Sequence, residues 1–233
     1  MNDEILTRDH GYPLRIIVPG TIGARSVKWV NRIIVSDKEA DSHWQTSDYK
    51  VLPHSIKQPQ QADYDRVPSL QEFNVQSAIC SPASTEDGNK VKILSIKPND
   101  DDIKNQKLTI KGYAYSGGGR QIQNVEISLD NGLVHLNIHR IEKIFFYSRK
   151  TWFQTELEQL PQPYMRAWAW TLWTYNLPLN ELPSKPFDIV CRAIDIHSNS
   201  QPDTPLGIWN IRGVMNNAWH KITLQIDSNY LKK

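Results

Sequence analysis

Only two cysteines, Cys80 and Cys191, occur in the 233 residues, and they form no CxxC pair. A metal site made by these two alone therefore has no support, nor does a disulfide between them, and both sit in apolar runs (SAICSP and DIVCRAID) that suit free thiols packed as small hydrophobes. No run approaches 18 consecutive apolar residues, so no transmembrane helix is expected. The N-terminal MNDEILTRDHG lacks the basic flank and apolar stretch of a signal peptide. Charge is nearly balanced, 27 basic against 25 acidic residues, with no long basic run, which leaves nucleic-acid binding without support. The one glycine cluster, SGGGR at 116–120, lacks the GxxxxGK[ST] and GxGxxG spacings, and no helix pattern follows to receive a phosphate. It reads as a turn between strands whose glycines permit positive φ.

What is present is concentrated in residues 10–32, HGYPLRIIVPGTIGARSVKWVNR. Ile16, Ile17 and Val18 predict a short buried strand leading into a turn that carries several cations. Glycine lets backbone approach a ligand closely, and Arg offers a rigid fork of donors suited to oxyanions. On residue types alone, a strand with basic residues in solvent is the favoured reading of the stretch. A second apolar run covers 27–35. The segment DSHWQTSDYKVLP is a polar loop with Trp44 and Tyr49 turned toward the body. Residues 54–71, rich in Gln, Pro and charge, predict an extended linker.

From residue 72 the pattern changes to short period-2 runs at 73–80, 107–115, 121–129, 166–175, 187–195 and 218–226, with Asp130, Asn131 and Gly132 as turn residues. The fold class is mainly β, and this part is a β-sandwich. Trp168, Trp170 and Trp173 are expected to fill the sandwich core and its edge rather than to bind sugars or bases. Two polar or unusual stretches interrupt the pattern. Residues 97–106 predict a loose loop. Residues 133–149 predict an insertion at a hairpin tip or a retained intron, because SLDNG joined to KTWFQTELEQ restores strand, turn and strand.

HGYPLR followed by PGTIGARSVKW resembles the molybdopterin-binding stretch of the sulfite oxidase family, which also includes assimilatory nitrate reductases. The likeness continues through YAYSGGGR, VEISLDNG, RAWAWTLW, QPDT and WNIRGVMNNAWH to about residue 226. It implies the end of a mixed α+β molybdopterin-binding domain over 1–71 and an immunoglobulin-like dimerisation domain over 72–233. It further implies that His10, Arg15, Ser26, Val27 and Lys28 bind the molybdenum–molybdopterin cofactor. Tyr49, in the DYK motif, would lie at the metal centre, and Arg212 would join the anion pocket. Arg25 is a weaker candidate for a second cation, and His43 and Trp44 of HWQ belong to the wall. DYK favours sulfite oxidase over nitrate reductase.

The family's molybdenum-ligating cysteine lies upstream of HGYPLR, and neither cysteine here matches it. The chain is therefore expected to be the C-terminal part of a longer enzyme that oxidises sulfite to sulfate, and to be inactive alone. The resemblance also implies a homodimer through the C-terminal domain, a cytochrome-type electron acceptor, haem only in a separate domain, and the mitochondrial intermembrane space. A nitrate reductase fragment, or a non-catalytic β-sandwich dimerisation module, is the alternative.

Overall fold

The computed structural model describes residues 3–83, 92–94, 107–132, 152–178, 182 and 185–226. The predicted extension at 97–106 and insertion at 133–149 lie outside them. Two compact units result: Met1–Asn74 with Ser116–Gly119 and Thr204–Asn216, and Val75–Tyr115 with Arg120–Asp203 and Asn217–Lys233.

Among the described residues the second unit has nine strands: β1 (Gln76–Ser81), β2 (Lys92–Leu94), β3 (Lys107–Tyr115), β4 (Ile122–Ser128), β5 (Phe153–Gln154), β6 (Glu156–Glu158), β7 (Thr171–Pro178), β8 (Phe187–Asp195) and β9 (His220–Ile226). They form two sheets, ordered β1-β3-β7-β6 and β2-β9-β8-β4-β5, antiparallel except for β2 with β9. The mainly β class read from the sequence is what the structure shows. Alternation does the work: in β8 every odd-numbered side chain is buried, β4 alternates from Asn124 to Ile127 after a register shift, and Ile110, Ala114, Val125, Ile127, Trp173, Leu177, Ile189 and Leu224 pack between the sheets. The turn after β4 uses Asn131 and Gly132 at positive φ, with Ser128 Oγ accepting from the Gly132 N–H at 2.9 Å. β4 and β5, which flank residues 133–149, pair antiparallel.

Strand parity corrects the tryptophan expectation. Trp173 is 1% exposed, but Trp168 and Trp170 are 45% and 58% exposed. β7 begins only at Thr171, and its buried positions are the odd-numbered Thr171, Trp173 and Leu177, so even-numbered Leu172 points outward and the two earlier indoles precede the ladder. Trp170 stacks on Tyr113 instead, with ring centroids 4.2 Å apart. The cysteines also divide: Cys191 is buried and Cys80 is exposed. Burial pushes the Cys191 thiol up to about 12, despite the Ser77 hydroxyl donating to it, so it stays an inert thiol.

One polar pair in this unit sets a pH limit. The Ile79 N–H donates to His220 Nδ1 at 3.1 Å, and burial holds the imidazole below its ordinary range. Native His220 therefore binds fewer protons than the unfolded chain. Its contribution is complete above the unfolded value, about 6.5, and declines as pH falls below it. Urea unfolding across pH 5–7.5 is expected to show a loss of stability that His220→Gln reduces. Equal slopes for the two proteins would show that His220 takes up its proton alike in the native and unfolded states.

The first unit has another character. Its described elements are short 3₁₀ turns at Arg8–His10, Gly23–Arg25, Pro59–Gln61, Tyr64–Arg66 and Pro205–Ile208, and a five-residue π-type turn, Trp44–Asp48. Ile16, Ile17 and Val18 do not form the expected buried strand. Single hydrogen bonds, Ile16 N–H to Val27 O and Val30 N–H to Leu14 O, replace a ladder, and Ile17 is 56% exposed. The run 27–35 is likewise open, with Val35 98% exposed. Among the described residues of this unit only Ile22 and Leu52 are buried hydrophobics, so no core exists here for these side chains to enter. Residues 54–71 are not an extended linker. They carry two of the 3₁₀ turns, and the Leu70 N–H donates to Tyr49 O at 2.7 Å. The SGGGR turn meets its expectation: Gly118 and Gly119 have φ of 63° and 73°, and the Gly117 N–H donates to Phe73 O at 2.9 Å.

Candidate functional site

The first unit contains a cavity of about 880 Å³ whose walls include His10, Arg15, Arg25, Ser26, Val27, Lys28 and Tyr49. The HGYPLR and SVK segments reach it together because of Gly11. This residue adopts φ +115°, and a Cβ there would meet Lys28 Cβ at 3.1 Å and Arg15 Cβ at 3.2 Å. Only glycine tolerates that backbone at so close an approach. Around it the cations are held by main-chain oxygens. Lys28 Nζ donates to Asp9 O at 2.7 Å, and Arg15 donates through Nη1 to His10 O (3.2 Å) and through Nε to Ser26 O (3.3 Å). Thr7 Oγ1 lies 2.6 Å from His10 Nδ1, which leaves the Nε2 side of the ring for a ligand. Ser26 Oγ accepts from the Val18 N–H at 3.2 Å.

Arg25 is placed more centrally than its sequence context indicated. Its Nε and Nη2 donate to Leu70 O at 2.9 and 2.6 Å, its Nη1 donates to Gln45 Oε1, and its guanidinium lies 5.8 Å from the Tyr49 ring centroid. Arg212 does not appear in the cavity wall. It donates through Nη1 to Ser47 O and through Nη2 to Asp48 Oδ1, both at 2.7 Å, and so ends on the residues immediately before Tyr49. The Arg212 hydrogen bond is the chief reason that the Asp48 carboxyl lies below the usual carboxylate range; His43 Nε2, 3.2 Å from the same oxygen, adds to it.

Sequence reading gave no role to Trp29, Gln45 or Asp48. Trp29 lines the cavity at φ +55°, a backbone region unfavourable for a bulky side chain, with its indole N–H on Arg8 O at 2.9 Å and Lys28 Nζ 4.4 Å from its ring. The adjacent Lys-Trp pair was the available signal. Gln45 and Asp48 carry no local signal, because their partners Arg25 and Arg212 lie 20 and 164 residues away.

The donor set suits a planar, hydrogen-bonding cofactor that ends in a phosphate. Arg15 and Lys28 each keep N–H groups beyond those used on carbonyls, the His10 ring offers one edge, and Val27 and Trp29 add apolar wall. Neither cysteine lines the cavity.

The "Sulfite oxidase, mitochondrial" of Drosophila melanogaster is 42% identical over 228 residues, covering 97% of this chain and 35% of its own length. The Homo sapiens protein of the same name is 41% identical over 226 residues with the same coverages. "Nitrate reductase [NADH] 1" of Arabidopsis thaliana is 36% identical over 232 residues, covering 97% of this chain and 22% of its own. The chain thus spans about a third of the length of the sulfite oxidases it matches. Among solved structures, the sulfane dehydrogenase SoxCD from Paracoccus pantotrophus superposes with a TM-score of 0.64 at 25% identity, over 96% of this chain and 46% of that one. Residues 1–44 match the oxidoreductase molybdopterin binding domain. Residues 67–227, more than half of the chain, match the Mo-co oxidoreductase dimerisation domain, and the chain belongs to that family.

Proposed function

We propose that this chain is the cofactor-closing and dimerising part of a sulfite oxidase, which converts sulfite to sulfate with a molybdenum–molybdopterin cofactor. The observation that carries the reading is the convergence of His10, Arg15, Ser26, Val27, Lys28 and Tyr49 on one cavity, in a chain about 40% identical to sulfite oxidases.

In this reading Arg15, Lys28, His10 and the Ser26–Val27 backbone hold the pterin and its phosphate through charge-assisted hydrogen bonds. When bound, the cofactor supplies the two-electron redox capacity. Tyr49 orients the substrate by donating its phenolic proton to a sulfite oxygen. Arg25 and Arg212 place positive charge about Tyr49, which offsets the cost of taking a dianion out of water. The second unit provides the homodimer contact. A cytochrome-type protein accepts the electrons, and the enzyme resides in the mitochondrial intermembrane space.

The test uses holoenzyme containing this chain, purified from cells that make molybdopterin. Sulfite-dependent reduction of cytochrome c is expected. Nitrate reduction in its place would transfer the chain to the nitrate reductases. Lys28→Met is expected to lower retained pterin about tenfold, the worth of one hydrogen bond to a charged group. Undiminished pterin would remove Lys28 from the cofactor site.

A further inference from the structure

We propose that the turn Trp44–Asp48 is the positioning element of this site, with Gln45 and Asp48 as its positioning residues. Gln45 holds the guanidinium of Arg25, Asp48 holds that of Arg212, and Tyr49 follows directly. The inference rests on the reading above for its substrate, sulfite, but its geometry is independent of that reading.

Gln45 is fixed at three points. Its Oε1 accepts from Arg25 Nη1, its Nε2 donates to Glu39 Oε2 at 2.9 Å, and its carbonyl accepts from Ser69 Oγ at 2.7 Å. With the amide nitrogen engaged by a carboxylate, the amide oxygen faces Arg25. Asp48 is fixed as firmly: Arg212 Nη2 and His43 Nε2 both meet Oδ1, and Arg212 Nη1 bonds the neighbouring Ser47 carbonyl. That second bond makes the Arg212 contact a two-point grip, which fixes an angle as well as a distance. The turn itself closes through the Tyr49 N–H to Trp44 O at 3.4 Å. Such π-type closures are uncommon and recur at functional sites.

Two guanidinium groups that arrive from residues 25 and 212 are thus bonded to one five-residue element. A dianion with three oxygens is recognised by donors at set spacing, and a misplacement of about 1 Å can cost about 10²-fold. Neither Gln45 nor Asp48 needs to touch the substrate to have this effect.

The experiment has two arms. In the 233-residue chain, hydrogen exchange of the 44–49 amides is measured for Asp48→Ala and Gln45→Ala, with circular dichroism to confirm that the fold is retained. Faster exchange confined to that segment is expected. In the holoenzyme, the same substitutions are expected to raise KM for sulfite about tenfold or more, with a smaller change in kcat. Asp48→Asn, which keeps the acceptor oxygen, is expected to recover most of the loss. Unchanged exchange, KM within twofold of the parent, or Asn no better than Ala overturns the proposal. Absence of sulfite turnover in the unsubstituted holoenzyme overturns the substrate reading instead, and the exchange arm then decides the positioning role alone.

Discussion

Gly112→Ala is expected to destabilise the second unit by at least about 3 kcal/mol, at the upper end of overpacking effects. Gly112 lies in β3 between Ile79 of β1 and Trp173 of β7. A Cβ there would fall far inside contact distance of the Ala78 carbonyl oxygen and of two atoms of the Trp173 ring. Neither neighbour can yield cheaply. The carbonyl belongs to the β1–β3 pairing, and the indole is 1% exposed inside the core. Shape alone holds that indole, because Trp173 Nε1 has no hydrogen-bond partner among the described residues. Relief would require a shift of β1 or a new tryptophan rotamer, and either opens a void between the sheets. Gly207→Ala is the control, since a Cβ there meets nothing within 4 Å. It is expected to stay within about 0.5 kcal/mol of the parent. Urea unfolding of the three proteins measures the contrast. Equal midpoints would show that the sheet adjusts to a methyl group at no cost.

Arg25→Met in the holoenzyme is expected to lower kcat/KM for sulfite by about 10²–10³-fold, the usual cost of removing a preorganised donor from a developing anion. Arg25 is held at three donors by Leu70 O and Gln45, so its remaining N–H groups need no reorganisation to meet substrate. The 3₁₀ turn Gly23–Arg25 delivers it to the Tyr49 ring. Arg25→Lys is expected to recover little, because a point charge cannot grip Leu70 O and Gln45 while also presenting donors. Arg212→Met is expected to have the smaller effect of the two, since its guanidinium is engaged by Ser47 and Asp48 and lies outside the cavity wall. Steady-state kinetics with sulfite give this order directly. A loss at Arg25 below about threefold would place it in the wall and not in the anion site.

Local pattern by itself determined a good deal. Period-2 alternation located β3 at 107–115 and β8 at 187–195 to the residue, because each strand's burial depends on its own repeat. The resemblance of HGYPLR and SVK to the family's cofactor stretch, not their composition, marked residues that share one cavity, where a turn and a glycine bring them together within a short span. Tertiary structure decided the rest. Which parity of 166–175 faces inward depends on where the ladder with β3 begins, and that choice buried Trp173 and left Trp168 and Trp170 in solvent. Ile16, Ile17 and Val18 have the composition of a buried strand, but burial needs partners, and among the described residues of this unit only Ile22 and Leu52 are buried hydrophobics. The grouping of residues 204–216 with residues 1–74 is invisible along the chain, and with it the bond from Arg212 to Asp48. A side chain's type limits which bonds it can form; only the path of the backbone brings a partner 164 residues away to within 2.7 Å.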